Sequence, residues 1–214
     1  MTVAAAASTE ASTRDRILDA AELLFAREGL AGAAMKAIAA EAGVAQGLLH
    51  YHFAGKDGLY AAVVARRSAQ INAGRCAALD GVDYGAADAL EQVFAALMRA
   101  PLGPEGGGAA YARIFATLVV GDARDRALVA EHYDPIARAF IAAIRRAEPR
   151  ADQALAAWGY CFALGALIGV VARDGRPERL AGAAAPEGTE ALIDRLVAFC
   201  AAGLRGMLEG RPQP

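Results

Sequence analysis

From Ala154 to Ala172 the chain runs 19 residues without a charged side chain. This stretch narrows the choice of fold more than any other. A segment of that length and polarity has to leave water, and either a bilayer core or surrounding protein can provide for it. It is largely alanine and glycine, and Arg150, Asp152 and Arg173 stand close at its ends. Gly165 and Gly169 have the spacing that lets two helices approach closely. We expect a helix covered by protein, with no membrane as partner.

Composition sharpens that expectation. Alanine is abundant throughout, while β-branched and aromatic residues are sparse. Alanine is the best helix former, so the fold class expected is all-α. Hydrophobic residues make up 56% of the 214, enough for a packed interior and too many for a disordered chain. The net charge of -2 gives no bulk argument for nucleic acid. Both lysines of the chain, Lys36 and Lys56, nevertheless fall in one short segment. Cys76, Cys161 and Cys200 are far apart in apolar surroundings, which suits buried thiols in a reducing cytoplasm.

Periodicity divides the chain. Residues 1–11 are small and polar, without the basic start and apolar run of a signal peptide, and are expected to be a disordered tail. A helix starts near Thr13, with Ile17, Leu18, Ala21, Leu24 and Phe25 on one face and Gly29 as its left-handed stop. Short helices follow at about Met35–Ala42 and Gln46–His52, and a longer one over 56–79. Further helices are expected at 86–100, 109–120, up to about 147 with a start or kink at Asp134-Pro135, at 152–173, and from Glu187 to about Leu208. A loop is expected at 174–186 and a short tail at 211–214.

Residues 35–52 thus form helix, tight turn, helix. Ile38 and Ala39 face a core shared with the first helix, Gly43 turns the chain and Val44 plugs the corner. Helices this short persist only when packed. The outer face of the second is then free for a partner, which in a helix-turn-helix is the DNA major groove. That helix is dense in hydrogen-bonding side chains, with Gln46, His50, Tyr51 and His52 around Gly47 and Leu48. Lys56 opens the following helix. His50 and His52 do not share a helix face and have no third ligand beside them, so no metal site is expected.

The runs RDRILDAAELLFAREGL and AIAAEAGVAQGLLHYHFAGKDGLYAAVV, within Thr13 to Val64, resemble the N-terminal domain of the TetR family of transcriptional regulators. The resemblance implies a three-helix DNA-binding domain at 12–55 and a C-terminal ligand-binding and dimerisation domain at 56–210, with 56–79 as linker helix. It implies a homodimer whose grip on operator DNA is released by a small molecule. It places Lys36, Gln46, Gly47, Leu48, His50, Tyr51, His52 and Lys56 at or beside DNA-contacting positions. Tyr51 and Lys56 would take phosphates, and Gln46, Leu48 and His50 base edges. The family often carries hydroxyl residues where Ala33, Ala34, Ala45 and Leu48 stand here, so fewer caps and phosphate donors are expected. The run WGYCFALGALIGVVARDGR with RLVAFCAAGLRGM is similar to the last two helices of the fatty-acid-responsive repressors in that family.

A hydrophobic effector is expected among Phe94, Met98, Tyr111, Phe115, Phe140 and Trp158, because ligand sites in bundles lie between helices. A dimer seam is expected at Trp158, Phe162, Gly165, Gly169, Leu196, Phe199 and Cys200. No nucleophile–base pair, metal cluster or cofactor fingerprint stands in the sequence, so neither an enzyme nor a cofactor is expected. The alternatives are a dimeric interaction module that no longer binds DNA and a small all-α enzyme with an internal pocket.

Overall fold

The computed structural model describes residues 2–171, 175–182 and 188–209, with side chains from residue 13 onward. Among the described residues there are eleven α-helices, one short 3-10 turn and no strand. The predicted tail at 211–214 lies outside the described residues, as do parts of the loop expected at 174–186.

Helix α1 spans Thr2–Gly32, broken at Gly29, whose φ of 69° no other residue type adopts cheaply. Its backbone is helical back to Thr2, where the sequence predicts a tail; the alanine-rich residues there favour helix. Beyond the break come α2 (Met35–Glu41) and α3 (Gln46–His52). The long α4 (Gly55–Asp80) leaves this head and enters the body. The expected face of α1 is buried in full: Ile17, Leu18, Ala21, Leu24 and Phe25 pack with Ile38, Ala39, Leu49, Phe53 and Leu59.

The body holds α5 (Ala89–Leu102), α6 (Gly108–Val120), α7 (Ala123–His132), α8 (Asp134–Ala147), α9 (Gln153–Val171), α10 (Arg176–Ala181) and α11 (Gly188–Glu209). The chain ahead of Asp134 is a separate helix, α7, begun by Asp122, whose carboxylate accepts from the amides of Arg124 and Asp125. Pro135 sits in the first turn of α8, where its missing N–H costs nothing. The segment Arg176–Ala181 is helical where a loop is expected, with Pro177 in its first turn. Two apolar clusters fill the molecule. One joins the head to α4, α6 and α7, and the other lies among α5, α8, α9 and α11.

Helix α9 is long and apolar enough to cross a membrane, with a mean hydropathy of 2.0. Within the subunit it packs against α5, α6, α8 and α11, which bury 33% of its most apolar stretch. Gly159 makes room for Leu204 of α11, since a Cβ there would lie 2.5 Å from one of its methyls.

Candidate nucleic-acid interface and internal cavity

The head positions α3 by two anchors. Leu49 is fully buried and Phe53 nearly so, one inside the helix and one at its C-terminal end. With those fixed, Gln46, Gly47, Leu48, His50 and Tyr51 face solvent together, Tyr51 with 74% of its surface open. His52 is half-buried and meets the Tyr51 ring edge-on at 5.1 Å. Lys36 is exposed on α2. Among the described residues, none of Lys36, Gln46, His50 and Tyr51 spends its side chain on an internal hydrogen bond. A Cβ on Gly47 would meet nothing within 4 Å. Glycine inside a helix costs about 1 kcal/mol relative to alanine, and nothing within the subunit explains that cost. A surface arriving from outside would.

The hydroxyl deficit noted in the sequence is real. Ala34 and Ala45 stand at the N-caps of α2 and α3 in extended conformation, with no side-chain cap. Two cations tighten the turns at helix C-termini instead. Arg16 donates to the carbonyls of Ala42 (2.6 Å) and Gly43 (3.0 Å), where Gly43 turns the chain at φ 63°. Lys56 donates through Nζ to the carbonyls of Ala31 (2.9 Å) and Ala33 (3.2 Å), below the break in α1. Lys56 is therefore a brace for the head, with one ammonium proton left for anything else. Sequence reasoning missed Arg16. It also missed Arg14, whose guanidinium lies 5.5 Å from the Phe53 ring and adds a positive charge beside the end of α3.

The head is strapped to the body by ion pairs. Glu22 on α1, buried, accepts three bonds from Arg67 on α4 at 2.8, 2.9 and 3.2 Å. Arg67 also donates to the carbonyl of Glu105, in the turn that leads into α6. Arg66 beside it pairs with Asp19 at 2.8 Å. At the start of α4, Arg124 of α7 reaches Asp57 at 3.0 Å and lies over the Tyr60 ring. Burial and the nearby Asp125 push the Tyr60 phenol up to about 12. Shifts of α6 or α7 therefore bear directly on the helix that carries α3.

An internal cavity of about 40 Å³ lies where α4, α6 and α9 meet. Ile71, Tyr111, Phe115, Tyr133 and Leu167 contribute to its wall, together with Arg75. Of the expected lining, Tyr111 and Phe115 are present. Phe94, Met98 and Phe140 are not; they are fully buried in the second apolar cluster, where the tight packing of α5 and α8 uses them as core. Trp158 is also excluded, because it stands 61% exposed on α9. Arg75 was not foreseen. The Tyr111 and Tyr133 hydroxyls hydrogen-bond to each other in the buried wall. Burial pushes both phenols up, Tyr133 to about 12, so both stay protonated.

A different face runs along α9 and α11. Trp158, Phe162 and Phe199 are each more than half exposed there. Phe162, Gly165, Phe199 and Cys200 border a wide apolar groove of about 560 Å³ between the two helices. Beside Gly165 and Gly169 the space is open. Leu196 does not belong to this face: at 6% exposure it packs into the core, because it lies on the inner stripe of α11 with Ile193 and Leu204. Burial pushes the Cys200 thiol up to about 11, which keeps it inert. Cys76 and Cys161 are exposed, contrary to the expectation of three buried thiols, because each lies on the outer side of its helix. Among the described residues no three metal-ligating side chains cluster.

Comparison with known proteins follows this division. Residues 17–63 match the profile of the bacterial regulatory proteins of the tetR family. Residues 91–203, more than half of the chain, match the tetracyclin repressor-like C-terminal domain. Among solved structures, a TetR-like transcriptional regulator from Rhodococcus sp. RHA1 is similar with a TM-score of 0.66 at 21% identity, covering 91% of this chain and 96% of that one. The TetR family regulator PfmR from Thermus thermophilus gives 0.63 at 18% identity, covering 89% and 97%. The fatty acid degradation regulator FadR from Bacillus halodurans gives 0.65 at 17% identity, covering 94% and 97%. Likeness at these identities establishes the fold. No curated protein matches the sequence.

Proposed function

Because this chain belongs to the TetR family of transcriptional regulators, we propose that it is a homodimeric, effector-responsive repressor that binds operator DNA through α3. The observation that carries the reading is the outer face of α3. Gln46, Gly47, Leu48, His50 and Tyr51 are exposed as a group, while the helix is held from behind by Leu49 and Phe53. Gln46 and His50 are suited to base edges, Leu48 to a thymine methyl, and Tyr51 to phosphate. Lys36 and Arg14 add charge at the margins. Lys56 and His52 contribute chiefly by holding the turns and the helix end in shape.

The α9–α11 face supports pairing with a second copy. Three large exposed aromatics beside an apolar groove are a surface that a lone subunit leaves wet. Pairing would cover them in a four-helix seam and set the two copies of α3 about one DNA turn, roughly 34–36 Å, apart. Effector enters the cavity at α4, α6 and α9. The cavity is far below the roughly 300–1,000 Å³ of an occupied drug-sized site, so binding favours a state in which those helices have parted. The Arg67 bond to the Glu105 carbonyl and the Arg124–Asp57 ion pair carry that displacement to α4 and spread the two heads. A protein working in this way would act in the cytoplasm, with no membrane and no catalytic chemistry.

The test is a band shift with the DNA that flanks the protein's own coding sequence. Specific retention that survives competitor DNA, and is lost when Gln46 and Tyr51 are both changed to alanine, is the expected result. An intact dimer that retains no flanking DNA above competitor would favour the interaction-module reading.

A further inference from the structure

Arg75 sits on α4 at 2% exposure, inside the wall of the cavity. Its Nε donates to the carbonyl of Leu97 at 3.0 Å, which ties α4 to α5. Among the described residues it forms no ion pair, and the groups that bear on its charge are the phenols of Tyr160, Tyr133 and Tyr111. Among the described residues the other buried charges are matched: Glu22 by Arg67 and Arg66, and Asp125 by Arg124. A guanidinium carries five donors, and one of them accounts for the bond to Leu97. Leaving such a cation in an apolar wall without a counter-ion is expensive. Burial alone already pulls its affinity for the proton down.

The neighbouring hydroxyls point the same way. Tyr111 and Tyr133 own two phenolic protons and share one between them. The other remains available to an acceptor at the cavity. No other side chain in the lining supplies one: Ile71, Phe115, Leu164, Leu167, Ile168 and Val171 are apolar, and Pro101, Gly106 and Ala112 carry no polar side-chain atom. The cavity therefore offers a cation and a hydroxyl donor at its polar end and a hydrocarbon wall along the rest. Leu164, Ile168 and Val171 are only half-buried on α9, so the apolar end opens toward the surface.

We propose that the effector is an amphipathic anion, most simply a carboxylate, whose charged group pairs with Arg75 and whose apolar remainder lies between α4, α6 and α9. This rests on the reading of the chain as an effector-responsive regulator and narrows it from any hydrophobic molecule to an anionic one. The 40 Å³ present without ligand holds a group the size of a few waters at most. The head group thus fits the closed state, and the tail has to part α6 from α9. A neutral hydrocarbon would open the same space and leave Arg75 without a counter-ion. The polar end sits on α4 itself, so occupancy is registered on the helix that carries the DNA-binding head.

The experiment titrates the purified full chain by calorimetry with matched pairs: decanoate against decanol, and phenylbutyrate against phenylbutanol. The expected result is that at least one acid binds at least about tenfold more tightly than its alcohol, as a charge-assisted pair should. Arg75→Lys should keep that preference in weakened form, and Arg75→Met should erase it so that acid and alcohol bind alike. The comparison within the wild-type protein stands even if Arg75→Met fails to fold. Equal binding of acid and alcohol by the wild type, a surviving preference in a folded Arg75→Met, or no binding by either acid would overturn the inference. The regulator reading is judged separately by the band shift without effector. A protein that retains its flanking DNA but ignores both acids defeats this inference alone.

Discussion

The head and the α9–α11 face are built from the same alanine-rich sequence and solve opposite problems. In the head, α1 and two short helices bury Ile17, Leu18, Ile38 and Leu49 completely and leave hydrogen-bonding side chains outside. Along α9 and α11 the order is reversed, with Trp158, Phe162 and Phe199 outside and alanine, glycine and leucine within. The bare face of the head is polar and suits a polar partner. The bare rear face is apolar and suits an apolar one. Which side of a helix is left bare therefore indicates the chemistry of what it meets.

The sharpest way to break that comparison is Gly165→Arg. The position faces open space, so the subunit can fold around the new side chain. A charge in the seam should nonetheless give monomers by light scattering and abolish operator retention. A dimer that persists would place the seam elsewhere. Next is Glu22→Ala, which strands Arg67 in a nearly buried position on α4. Removing one member of a buried pair costs roughly 3–5 kcal/mol; part of that is returned here because Arg67 keeps some solvent, so a loss of about 2–4 kcal/mol is expected in urea unfolding. A loss under about 1 kcal/mol would mean that the strap between head and body is slack.

Two DNA-facing substitutions sharpen the head's side of the contrast. Gln46→Ala should relax preference at one base position by about 1–3 kcal/mol, measured with single-base operator variants. Lys56→Ala should act mainly through folding, lowering stability by about 1 kcal/mol as two carbonyl bonds are lost. If its remaining proton also meets a phosphate, the log–log salt slope of binding falls by about 0.9 as well. The smallest effect is a gain. Ala45→Ser adds a hydroxyl at an N-cap already in extended conformation (φ -69°, ψ 137°) and should raise stability by about 0.5–1 kcal/mol. No change in the unfolding midpoint would show that α3 is limited by packing alone.

Much of the head could be read in the sequence because its determinants are local. The buried face of α1, the stop at Gly29, the turn at Gly43 and the outward residues of α3 each follow from spacing or from glycine geometry. The body was less legible because periodicity says which face is buried but not against what. Phe94 and Phe140 are in the interior as expected, yet tight contact between α5, α8 and α9 makes them core and not cavity. Leu196 falls on the inner stripe of α11 for the same reason. Arg75 was overlooked because a charged residue in a helix is ordinarily assigned to water. A signal did exist: positions 64, 68, 71 and 75 fall on one helical face, and Val64, Ser68 and Ile71 are buried. Arg16 and Lys56 carried no such signal, since their carbonyl partners lie 23 or more residues away along the chain.

The bareness of α3 has an evolutionary side. Leu49 and Phe53 are the buried anchors of this helix, and among the described residues the outward side chains of Gln46 and His50 make no hydrogen bond within their own subunit, while Leu48 stands exposed beside them. Changes at these three positions therefore leave the stability of the fold almost untouched. On the proposed reading, a duplicated copy of the gene could drift to a new operator one residue at a time, remaining folded at every step. In this helix, recognition and architecture are separately heritable.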